Sequence, residues 1–172
     1  MSLEAIKGFN YFQYINKISE LYGEYSKIYP QILNKKLEVI NIPDVSEDKH
    51  PCFEWAGINN ETDIIYLRIC ENKTSYEQIT YQFIHELTHL REYSKTTRYT
   101  VSNEEEAKCY DESIIWLLKY GDEGKQYILD AIKEINDSPK EKEKFKLSYF
   151  IQQYPKNKQD LENVLEKYKN TH

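Results

Sequence analysis

The sequence predicts an α+β fold, with a small N-terminal sheet, two long helices after it and a helical C-terminal part. Three observations carry that expectation. Short apolar segments at 37–42, 52–56 and 62–69 are separated by turn-forming residues, the pattern of extended strands. Elsewhere apolar residues recur every three or four positions, over 3–28, 75–93 and 103–120, the period of an amphipathic helix. Gly and Pro number five each in 172 residues, and 16 Tyr supply much of the apolar area, which favours helix over loop. A chain of this length is expected to form one domain over 1–172, burying about 70% of its unfolded surface.

Charge and composition exclude several classes of protein. The net charge of -6 lacks the clustered excess of Lys and Arg that grips phosphates, so no nucleic-acid partner is expected. No apolar run approaches the roughly 20 residues of a membrane span, and no charged, apolar and small-residue leader opens the chain. The expectation is a cytoplasmic protein with no membrane partner. Cys52, Cys70 and Cys109 are odd in number and share no C-x-x-C spacing, so reduced thiols are expected.

Taken in order, the first helix is expected over 3–28, with interruptions near Gly8 or Gly23 and an end at Tyr29-Pro30, because the residue before proline is pushed out of helical geometry. Three extended segments follow, of which 62–69 is the clearest, preceded by a turn at Gly57-Ile58-Asn59-Asn60. Ser75-Tyr76-Glu77-Gln78 then fits a capping box that opens the next helix. Its apolar line is Tyr76, Ile79, Phe83, Leu87 and Leu90, and His85 and His89 project on nearly the opposite side. After it, Glu104-Glu105-Glu106 begins a helix whose buried face is expected at Ala107, Tyr110, Ile114, Leu117 and Leu118. Acidic residues suit the positive end of a helix, which by itself explains the three glutamates. Gly121 and Gly124 are expected to bracket a turn, with further helices at 127–135, from Ser138-Pro139, and near Leu161 to Tyr168.

The chemistry-bearing stretch is His85-Glu86-Leu87-Thr88-His89. Residues four apart on a helix share a face, so two imidazoles at that spacing can reach one metal ion, with Glu86 facing a water bound to it. The plain alternative is a pair of solvated histidines. The pattern arises by chance in a chain of this composition on the order of 1% of the time, which makes it informative.

Together with Glu104-Glu105-Glu106-Ala107 and Tyr110, the motif resembles the gluzincins, zinc peptidases with two histidines and a glutamate on the metal, and among them the ImmA/IrrE family and single-domain minigluzincins. The resemblance spans about residues 60 to 120. A metzincin would place Gly and His where Glu92 and Lys95 stand. The resemblance implies a zincin-like fold, Zn²⁺ on His85, His89 and a glutamate, and Glu86 as the general base for hydrolysis of a protein or peptide substrate. It also implies that 62–69 is a sheet edge along which substrate lies. Arg98, Tyr99 or Tyr149 are candidates for steadying the oxyanion. A non-catalytic member of the same group, acting as a binding or regulatory module, is the alternative.

Helical phase and the E-x-x-A pattern both favour Glu104 as the third ligand. With Ala107 at zero, Glu104 lies at about +60°, Asp111 at about +40°, Glu106 at about -100° and Glu105 at about 160°. Glu106 is the competing choice, and Asp111 is placed to support a ligand histidine.

Overall fold

Helices dominate the chain, whose computed structural model describes residues 5–7, 12–35, 37–41, 53–58, 63–67, 75–92, 103–137 and 163, with side chains at 14–35, 37–39, 75–92, 104–131 and 163. The part described with its side chains is 90% helical, in four helices and with essentially no sheet. The expected α+β, zincin-like class with an N-terminal sheet is therefore corrected to a helix-dominated one. The physical reason is the length of the elements. The helices α1 (Phe12–Ile28), α2 (Tyr76–Glu92), α3 (Asn103–Leu117) and α4 (Asp122–Asp137) each run 15 to 17 residues. The strands β1 (Ala5–Lys7), β2 (Leu37–Asn41), β3 (Phe53–Ile58) and β4 (Asp63–Leu67) have three to six.

Backbone pairing orders the strands β1-β2-β4-β3, with β1 and β4 parallel to β2 and with β3 antiparallel to β4. The expectation that 62–69 forms a sheet edge is overturned. The ladder of β4 is taken on one side by β2 and on the other by β3, which folds back onto it with a register shift between Glu54 and Ala56. Gly57 and Ile58, expected in a turn, are the last two residues of β3.

The chain divides into two compact units, Met1–Arg91 and Glu92–His172. In the first, α1 starts later than its periodicity suggests, because residues 5–7 are extended, and it continues through Gly23. It ends at Ile28 as expected, Pro30 opening a 3-10 turn (Pro30–Asn34) instead of an α-helix. Ser75 caps α2, its Oγ accepting from the Gln78 N–H at 3.1 Å, and the loss of such a cap costs about 1 kcal/mol.

Helices α1 and α2 run side by side in the same direction. Tyr14 meets Tyr76 edge to face near their starts (6.1 Å between centroids), and Tyr25 meets Thr88 near their ends. The core of this unit is Ile18, Leu21, Tyr22 and Tyr25 of α1, Ile79, Phe83, Ile84, Leu87 and Leu90 of α2, Ile32, and Leu37 and Val39 of β2. Tyr76, expected on the apolar line, is 43% exposed, as suits the first residue of a helix.

In the second unit α3 closes in a 3-10 turn, Leu118–Tyr120, and Gly121 takes a left-handed φ of 64° that only glycine adopts cheaply. α4 starts at once, so the expected turn across Gly121–Gly124 is shorter and Gly124 lies inside the helix. Glycine costs helix stability, and the reason it is needed is steric: a Cβ at Gly124 would run into the Leu117 carbonyl. Gly124→Ala is accordingly expected to destabilise this unit by about 1–3 kcal/mol despite alanine's better helix propensity, measured as a lower midpoint in urea. Among the described residues no helix is long and apolar enough to cross a membrane. The expected elements from Ser138 onward lie outside the described residues, except for Asn163, which is helical and exposed.

Candidate metal centre

His85, Glu86 and His89 all fall on α2, within one turn and a residue, because an uninterrupted helix runs from the Ser75 cap past them to Glu92. Their environment is not the solvated face of the plain alternative. His85 is 8% exposed, Glu86 7% and His89 4%, on a helix where nearly every residue from Ile79 to Leu90 is buried. Burying ionisable groups is costly unless something compensates them, so three within five residues mark this turn as chemically special.

The two imidazoles converge. Their Nε2 atoms lie 3.1 Å apart, with the ring planes at 74° and the centroids 4.8 Å from each other. If one ring carries its proton on Nε2, that separation is a hydrogen bond. A tetrahedral zinc ion bonded to two imidazole nitrogens at about 2.0–2.1 Å spaces them by roughly 3.3 Å, so the same pair has the bite that one zinc ion requires. Nitrogen donors of neutral imidazole suit zinc. Glu86, about 100° round the helix from His85 and 60° from His89, belongs to the same half of α2.

Behind the histidines lies a polar link that the sequence did not point out. The Thr88 hydroxyl donates to the Ile84 carbonyl, 2.8 Å away in the preceding turn, and having only one proton it accepts from the Tyr25 hydroxyl at 3.0 Å. Thr88 is fully buried, as is Tyr25. Tyr25 leans on Tyr29 (4.8 Å between centroids), and the Arg91 guanidinium sits 4.2 Å from the Tyr29 ring centre. Arg91 is the last residue of α2 in this unit, so the link leaves α2 at Thr88 and returns to it one turn later. The signal available in the sequence was a threonine in mid-helix, a residue that bonds back to the carbonyl four positions earlier.

Glu104 belongs to the second unit, on the first turn of α3, and is exposed. Glu105, Glu106 and Asp111 are half-buried. The expected buried face is corrected: Ala107, Ile114 and Leu117 are buried, but so are Cys109, Ser113 and Trp116, whereas Tyr110 and Leu118 are only half-buried. That moves the centre of the buried arc to about -100°, where Glu106 lies, and puts Glu104 on the opposite side. The helical-phase argument for Glu104 over Glu106 therefore loses its premise, because Cys109, Ser113 and Trp116 are buried where the apolar pattern put Tyr110 and Leu118. Cys109 is fully buried. Arg98, Tyr99 and Tyr149 lie outside the described residues, as do Cys52 and Cys70. Comparison with family models, with characterised proteins and with solved structures gives no match.

Proposed function

We propose that this chain is a zinc-dependent peptidase acting on a protein or peptide substrate, in the cytoplasm. The observation that carries the reading is the buried turn of α2, in which two imidazole Nε2 atoms converge to 3.1 Å beside the equally buried Glu86. In this reading His85 and His89 would hold the metal through their imidazole nitrogens. Zinc held there would supply Lewis acidity and make an attacking water easier to deprotonate. Glu86 takes a proton from the attacking water and passes it to the departing amine, so that water is added across the peptide bond. Burial of the turn strengthens each of these charge interactions by keeping bulk water away.

Protein purified under metal-replete conditions is expected to carry one equivalent of zinc, and His85→Ala and His89→Ala to lose it, as read by elemental analysis. A folded wild-type chain without stoichiometric zinc would overturn the reading. The resemblance to gluzincins puts the third donor at Glu104. Gln substitutions at Glu104 and Glu106, each followed by zinc affinity, identify the carboxylate by which of them weakens binding.

A further inference from the structure

Thr88 sits between the two histidines in sequence, three residues after His85 and one before His89, and its hydroxyl ties the motif turn in two directions at once. Within α2 it bonds back to the carbonyl of Ile84, the residue before His85. Across to α1 it receives the Tyr25 hydroxyl, a bond between residues 63 apart in sequence and buried from water. A helix packed only through apolar side chains can slide or roll by small amounts at little cost. A buried hydrogen bond, once broken, leaves polar groups stranded away from water, so it sets the angle of α2 about its own axis. On a helical wheel Thr88 lies about 60° from His85 and 100° from His89, so any roll that breaks the Tyr25 bond also swings both rings.

We propose that Thr88, held by Tyr25, is a positioning residue that fixes the direction in which His85 and His89 present their Nε2 atoms. Its use in holding a metal rests on the peptidase reading above. The bond back to Ile84 also bends a helix slightly at the turn it spans, which here is the turn that brings the two rings together. Tyr29 and Arg91 extend the same restraint: Tyr25 packs on Tyr29, and Arg91, two residues after His89, stacks over the Tyr29 ring. The motif turn is thereby held from α1 both at its middle and at its end.

The test has two arms on the full chain. In metal-free protein at fixed pH, the imidazole ¹⁵N resonances of His85 and His89 report ring orientation and the bond between the rings. Thr88→Val, which keeps the shape and removes the hydroxyl, is expected to shift these resonances, and Thr88→Ser, which keeps the hydroxyl, to restore the wild-type pattern. Tyr25→Phe removes the cross-helix bond and keeps the Thr88 hydroxyl, and it serves where Thr88→Val folds poorly; it is expected to shift the same resonances. Unchanged resonances in folded Thr88→Val, or in Tyr25→Phe where that variant stands in for it, overturn the positioning role. In the second arm Co²⁺ is titrated, and affinity is expected to fall about 10- to 100-fold in Thr88→Val and to recover in Thr88→Ser, the range seen when groups supporting metal ligands are lost. Failure of wild-type protein to bind Co²⁺ would sink the peptidase reading, while the ¹⁵N arm still decides whether Thr88 orients the rings.

Discussion

Replacing Glu86 with glutamine is expected to lower the rate of peptide hydrolysis by about 10²- to 10⁴-fold while zinc remains bound, the range of a lost general base. The substitution is nearly isosteric and keeps the buried position filled. It removes the one group in the turn able to accept a proton from the attacking water without being a metal ligand. By transition-state arithmetic the loss corresponds to about 3–5 kcal/mol of barrier. It should fall on kcat rather than on KM, because the proton moves only as the reaction proceeds. The measurement pairs elemental analysis with steady-state kinetics on one cleaved peptide. Zinc retained at one equivalent with unchanged kcat would remove Glu86 from the chemistry. A cellular effect that survives Glu86→Gln would assign the protein's work to binding.

The second large effect is structural. Phe83→Ala is expected to destabilise the first unit by about 3–5 kcal/mol, the usual cost of emptying a buried aromatic site. Phe83 is fully buried and stands one helical turn from both Ile79 and Leu87, which are also fully buried. Its removal leaves a cavity that a helix also held to α1 by the Tyr25–Thr88 bond cannot readily collapse to fill. Thermal or urea unfolding of the variant reads the loss. Phe83→Leu, which retains most of the volume, should recover much of it. A loss under 1 kcal/mol would show that the helix moves freely enough to close the gap.

Local chemistry was the legible part of this sequence. Ser75 announced the start of α2 because a cap is written in four consecutive residues, and Pro30 announced the end of α1 because its ring constrains the residue before it. The motif on a helix and the convergence of its two histidines follow from the same local period. Properties set by tertiary packing were less legible. Gly124 looked like a turn residue because the carbonyl that requires a missing Cβ, at Leu117, comes close only after the chain has folded back. The buried arc of α3 was misplaced because Cys109 and Ser113 are small enough to be buried yet carry no apolar signature. His85 and His89 were expected opposite the apolar line of α2, and their burial is seen only in the folded chain. The place of β4 inside the sheet was hidden too, since a strand's neighbours are not written in the strand.

The bond between Tyr25 and Thr88 joins residues 63 apart, and this separation orders events in time. A capped helix of 17 residues forms locally and fast, on a microsecond scale or below, so the stretch from His85 to His89 acquires its helical spacing early. Docking onto α1 must first close a loop that includes β2, β3 and β4, and long-range closures of that kind slow folding. During refolding, helical signal near the motif should therefore precede the final setting of its rings. Metal added at the start would meet two histidines correctly spaced but not yet held in their final direction.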